Sequence, residues 1–181
     1  MDEAATGVMT LAGVLADRSS WAARQCPIKH TLEVVGTRST ILLMREAYYG
    51  TTRFDDFAHR VGITDAVASA RLRELVDAGL LVRRPYREPG QRTRYEYVLT
   101  PAGSDLLPVL LALWQWGDKH LSGEEGPALQ LRHTDCLAPL TVEVRCTDGH
   151  EVSLDGVTVM TARQNSQASE SDTADRCAGG S

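Results

Sequence analysis

The sequence predicts an α+β chain, mostly helical, and three observations carry that expectation. In ITDAVASARLRELVDAG, residues 63–79, Ala68, Leu72, Leu75 and Gly79 fall on one stripe at helical spacing. Ala66, Ser69, Ala70 and Arg73 are left on the opposite, wet face. The next stretch, LLVRRPYREPGQRTRYEYVLT, alternates as two strands about the turn Glu88-Pro89-Gly90-Gln91. Between Arg83 and Arg94 it sets five arginines against one acid, Glu88. Ahead of both, Phe54, Phe57, Ala58 and Val61 make a short amphipathic helix that Gly62 stops, and Thr64 caps the helix that follows. Helix, glycine turn, capped helix and cationic hairpin, in that order, are the layout of a winged helix-turn-helix.

The remaining elements follow along the chain. Residues 3–17 read as an amphipathic helix through Val8, Leu11, Ala12 and Leu15, weakened by Gly7 and Gly13 and so expected to rest on something else. Cys26-Pro27 opens a second helix containing Leu32 and Val35 and ending at Gly36. Residues 38–49 give a strongly apolar scaffold helix through Ile41, Leu42, Met44 and Tyr48, closed by Gly50. After the hairpin, Thr100 and Pro101 start a helix through Leu106, Leu107, Leu110, Leu113, Trp114 and Gly117. Its apolar stripe is wider than one flank needs, and such a surplus finds a partner helix. Past the linker Gly123-Glu124-Glu125-Gly126-Pro127, Thr141–Arg145 and Val157–Met160 alternate like short strands. The expected organisation is a helical arm over 1–23, the winged-helix and dimerisation domain over 24–121, a small ribbon-like unit over 122–162 and a disordered tail over 163–181.

Charge distribution matters more than its sum of -5. Residues 20–121 hold 14 Lys/Arg and 11 Asp/Glu, whereas residues 122–181 hold 4 and 10, so the acid sits in the tails. The hairpin therefore offers a local positive field to a phosphate backbone. No apolar run is long enough to span a membrane, and the N-terminus lacks a signal-peptide pattern, so a cytoplasmic protein without a membrane partner is expected. Four cysteines, at 26, 136, 146 and 177, lack a disulfide-type spacing and read as thiols.

Cys26-Pro27, RFDDFAHRVGIT, ARLRELVDAGLLVRR, RTRYEYVLTPAG and LLPVLLALWQWGDKHL together resemble the HxlR family of bacterial winged-helix regulators, relatives of the MarR group. The resemblance covers residues 24–121. It implies a homodimer built from terminal helices, a pseudo-palindromic double-stranded operator, and repression or activation of a neighbouring gene, with a repressor expected. Two departures stand out. Gly36-Thr37-Arg38-Ser39-Thr40 lacks the aromatic residue of the family's G-x-R-W-T bend, and Asp65 and Ala66 replace longer side chains at the start of the recognition helix.

The candidate residues follow. DNA contact falls to Thr64, Asp65, Ala66, Ser69, Ala70 and Arg73 on the recognition helix and to Arg87, Arg92 and Arg94 on the wing. The dimer contact falls to Leu11, Leu15, Leu110, Leu113, Trp114 and Leu121. A small aromatic effector fits a pocket of Ser39, Leu43, Met44, Tyr48 and Trp114, where Ser39 and Thr40 leave room. Oxidation of Cys26 is the alternative signal: it sits at a helix start with Arg24 and Lys29 nearby, which favours a thiolate. His133-x-x-Cys136 and Cys146-x-x-x-His150 supply four zinc-type ligands, although Gly149 stands where a last cysteine would fall. No other cofactor is indicated, and His30, His59 and His120 lie apart, so an enzyme is not expected. A winged helix that docks only on proteins is the remaining alternative, and its hairpin would more often be apolar than arginine-rich.

Overall fold

The computed structural model describes residues 9–19, 26–87, 89–90, 92–124 and 126–161. The expected tail over 163–181, the start of the N-terminal arm, Arg24, Glu88 and Gln91 lie outside the described residues. The chain divides into two units, residues 25–142 and residues 1–24 with 143–181.

The larger unit begins with α1 (Pro27–Val35), with Cys26 as N-cap and Pro27 in the first turn, where a missing N–H costs nothing. Thr37 then caps α2 (Arg38–Tyr48), its hydroxyl accepting the Thr40 amide at 3.2 Å. The α3 helix (Phe54–Val61) ends at Gly62, whose φ of 70° lets the Ile63 amide reach back to the Ala58 carbonyl. Thr64 starts α4 (Asp65–Asp77) by accepting the Val67 amide. These two caps, two residues apart, make the turn between the two helices.

Gly79, expected on the buried stripe, is instead exposed at φ +72°, and the Leu80 amide bonds the Leu75 carbonyl. The glycine ends α4 rather than packing within it. Strands β2 (Leu81–Tyr86) and β3 (Arg94–Leu99) pair antiparallel from Leu81↔Leu99 to Tyr86↔Arg94. The wing loop is therefore residues 87–93, longer than the expected four-residue turn, and it carries Arg87 and Arg92.

A core of Leu43, Met44, Phe57, Leu72, Leu75 and Leu81 ties α2, α3, α4 and β2 together, and Phe57 meets Tyr97 edge to face at 6.2 Å. The expected single terminal helix is two, α5 (Pro101–Asp105) and α6 (Leu107–Leu121). Pro108 has no N–H for the Ser104 carbonyl, so the chain breaks at Leu106 and restarts. Thr100 holds this corner. Its hydroxyl donates to the Gly79 carbonyl at 2.6 Å and accepts the Gly103 amide at 3.0 Å, while its own amide bonds the Leu80 carbonyl. A Cβ on Gly103 would lie 2.1 Å from the Leu80 carbonyl oxygen, so only glycine fits there.

The smaller unit corrects the helical arm. Met9–Leu11 is a strand, β1, lying parallel to β4 (Val157–Val159), and Gly13–Leu15 is a single 3-10 turn. Gly13 at φ 60° interrupts a helix, and the Ala12 amide finds the Val159 carbonyl at 2.9 Å. Residues 141–145 form no strand; one bridge, Arg145↔Glu151, closes the turn between them.

Candidate functional site

The outer face of α4 carries Asp65, Ala66, Ala70 and Arg73, all exposed, with Ser69 half-buried and Thr64 exposed at the cap. Arg71 is tied to Glu74 at 2.7 Å one turn away. Arg73 has no ion pair among the described residues, so its guanidinium projects from a face otherwise made of short side chains. Such a face lets helix backbone approach base edges closely while one long side chain reaches them.

Beside it, the wing presents Arg87, Arg92 and Arg94, all exposed. A cleft of about 770 Å³ runs between the wing and the start of α3, lined by Arg53, Arg83, Arg92, Arg94, Tyr95 and Ser69, with Asp55 and Asp56 on the α3 side. Arg53 was not anticipated, and Arg83 was counted in the arginine wing but not among the contact residues. Arg53 is the N-cap of α3, stacked 3.2 Å over the Tyr86 ring, and its Nη1 is buried with no hydrogen-bond partner among the described residues. Arg83 stacks 3.6 Å over Tyr95. Tyr95 faces Pro85, two pairs along the hairpin from Arg83, and Arg53 lies outside the hairpin, so no local sequence pattern announces either stack.

The expected effector pocket is rearranged. Leu43 and Met44 are wholly buried in the core, and Ser39 does not reach the cavity. Thr40 is buried too, with its hydroxyl 2.7 Å from that of Thr37, so the bend is filled rather than open. The cavity that exists, about 240 Å³, lies one helical face over, between Ile41, Leu42, Arg45, Tyr48 and Tyr49 of α2 and Leu110, Leu113 and Trp114 of α6. Trp114 also borders a second cleft of about 470 Å³ against residues 130–142, and its indole N–H donates to Asp118 at 2.8 Å. Gln115 closes that cleft by bonding both the amide and the carbonyl of Val142. The Tyr48 hydroxyl donates to the Gly103 carbonyl, and burial, then the nearby Asp105, raise its pKa above the ordinary tyrosine value.

Of the expected dimer contacts, Leu113 and Leu121 are 52% and 72% exposed, but Leu110 packs on the domain's own core. Leu11 and Leu15 belong to the smaller unit and are half-buried there, off any helix of the expected kind. Trp116, 57% exposed, and Ile28 and Leu32 of α1, 70% and 58% exposed, were not among the expected dimer contacts and are apolar surface on α6 and α1.

Cys26 is half-buried at the N-cap of α1, and neighbouring Lys29 reaches Glu33 at 3.8 Å. Of the zinc-type ligands, His133 Nδ1 lies 3.2 Å from Cys136 Sγ in the larger unit, and Cys146 Sγ 3.5 Å from His150 Nδ1 in the smaller. Asp148, not anticipated, joins Cys146 and His150: their ligand atoms lie within 4.8 Å of one another. No helix among the described residues is long and apolar enough to cross a membrane.

A family model described as HxlR-like helix-turn-helix matches residues 34–125, the segment holding α2 through α6. Curated relatives include an HTH-type transcriptional regulator of Mycobacterium tuberculosis, 42% identical over 132 residues that span 72% of this chain and 82% of that protein. Another, from Bacillus subtilis, is 32% identical over 105 residues, 58% of this chain and 80% of the relative. Among solved structures, the crystal structure of a candidate transcription factor aligns with a TM-score of 0.69 at 31% identity, covering 76% of this chain and 95% of its own. One from Pseudomonas aeruginosa aligns at 0.55 and 38% identity, covering 76% of this chain and 92% of its own. With the helix-turn-helix and its arginine wing falling inside the matched residues, the chain belongs to the HxlR-like helix-turn-helix family of transcriptional regulators.

Proposed function

We propose that this chain is a homodimeric repressor that binds a double-stranded operator through α4 and the wing and is released by a small aromatic ligand. The family is one of regulators, not enzymes. The observation that carries the DNA-binding reading is the pairing of a short-side-chain helix face, from which Arg73 alone extends without an ion pair among the described residues, with a wing of exposed arginines. That combination suits groove entry plus phosphate clamping.

Dimerisation is supported by the apolar surface on α1 and α6, with Ile28, Leu32, Leu113, Trp116 and Leu121 all more than half exposed. The ligand reading rests on the cavity between α2 and α6, whose apolar wall includes Tyr48 and Trp114. An aromatic ring stacked there would shift α6, and with it the spacing of two recognition helices. The test is fluorescence-anisotropy titration of the purified protein against DNA upstream of its own gene, with and without aromatic carboxylates and phenols. Sequence-selective binding that such a compound weakens supports the proposal. Binding to that DNA no tighter than to random duplex would defeat its operator part, and ligand-insensitive binding its effector part. Loss of DNA binding on peroxide treatment, abolished by Cys26→Ser, would transfer the signal to the thiol.

A further inference from the structure

The turn from Cys146 to His150 has a geometry that DNA binding does not use. It is closed twice, by the Gly149 amide on the Cys146 carbonyl at 2.9 Å and by the Cys146 amide on the His150 carbonyl at 3.0 Å, with Gly149 at φ 84°. Residues 146, 148 and 150 alternate along it, and their Sγ, carboxylate and imidazole atoms gather on one side within 4.8 Å. Arg145 braces the loop from outside. It bonds the Gly149 carbonyl at 3.2 Å and pairs with Glu143 at 2.9 Å and Glu151 at 3.0 Å. Arg145 is thereby neutralised, and Asp148 is left with no ion-pair partner among the described residues.

We propose that Cys146, Asp148 and His150 form a mononuclear zinc site, with water as the fourth ligand. The donor set decides the metal: thiolate with imidazole selects zinc over calcium or magnesium, and one carboxylate is compatible with it. The spacing fits as well. Tetrahedral zinc with Zn–S of about 2.3 Å and Zn–N of about 2.05 Å needs a sulfur-to-nitrogen edge of about 3.5 Å, and Cys146 Sγ to His150 Nδ1 is 3.5 Å. The turn thus holds two ligands at the required separation before any metal arrives, and both backbone closures fix that separation. On binding, the Cys146 thiol gives its proton to solvent and the ion takes its place between sulfur and nitrogen.

Cobalt(II) serves as the spectroscopic probe, titrated into the reduced full-length protein and then displaced by zinc. The expected result is one ion per chain, a thiolate-to-cobalt charge-transfer band of one-sulfur intensity, and the stronger visible bands of four-coordination. Cys146→Ser removes the charge-transfer band. Asp148→Asn and His150→Gln keep the fold and weaken binding by at least about 10-fold. The double variant His133→Ala/Cys136→Ser leaves band and affinity unchanged. All four variants lie on exposed turns, so circular dichroism and DNA binding report that the winged helix is intact. A wild type without the band, a band that survives Cys146→Ser, or one that the His133/Cys136 variant removes would each overturn the assignment.

Discussion

Removing one wing arginine should change how DNA affinity depends on salt by an amount that can be worked out in advance. Each wing offers Arg87, Arg92 and Arg94 to the phosphate backbone, so two wings would neutralise about six phosphates. The slope of log K against log salt is then about -5, from roughly 0.9 per phosphate. Affinity should fall on the order of 10³-fold between 50 and 200 mM salt. Arg92→Ala deletes one contact per protomer and should flatten the slope by about 1.8, for operator and random duplex alike. Arg73→Ala should instead weaken operator binding by about 1 to 3 kcal/mol, blur one base position and leave the random-DNA slope nearly unchanged. Anisotropy titrations at four salt concentrations on both duplexes measure all of this. A flat dependence in the wild type would end the phosphate-clamp mechanism. If Arg92→Ala blurs specificity and Arg73→Ala flattens the slope, the roles of helix and wing have been exchanged.

Gly103→Ala should cost about 2 kcal/mol or more in chemical denaturation, since its Cβ would sit 2.1 Å from the Leu80 carbonyl oxygen and the corner would have to open; a loss under 0.5 kcal/mol would show that it gives way freely. Leu113→Asp, exposed in the single chain, should leave thermal stability of the isolated fold intact but yield monomers in sedimentation and lose operator affinity; a dimer of unchanged strength would move the contact elsewhere. The raised pKa of Tyr48, caused first by burial, means its protonated form is favoured in the fold. Its contribution is complete below about pH 10, the unfolded value, and is lost as pH climbs through the higher folded one. Tyr48→Phe should therefore flatten the alkaline end of the stability curve, and an unaltered curve would refute the link.

The helix-turn-helix was legible because its punctuation is chemical. Gly62 and Thr64 mark a boundary whichever way the rest of the chain packs. The α4 stripe was readable except at Gly79, where a stop signal lay in phase with the apolar residues. The effector pocket went astray for a reason of register: Leu43 and Met44 lie on the face of α2 that the core consumes, leaving Ile41, Leu42, Arg45 and Tyr48 to face α6. Residues 9–17 carry an apolar spacing that suits a helix, yet their partner strand lies about 150 residues away at Val157–Val159, and no local pattern announces it. Arg53 escaped notice because its importance comes from Tyr86, far along the chain at the end of β2, rather than from its neighbours in the chain.

The corner at Thr100 has a mechanical consequence. The end of α4 and the beginning of α5 share hydrogen bonds through Thr100, Gly79 and Leu80, and Tyr48 of α2 fastens to Gly103 in the same corner. The end of α4 and the root of the terminal helices are therefore welded through this corner. A regulator built this way works like a pair of calipers. If two such protomers pair as proposed, the jaws keep their shape and a signal would pass as the width between them, so operators whose half-sites are one base pair too far apart should then imitate the proposed ligand.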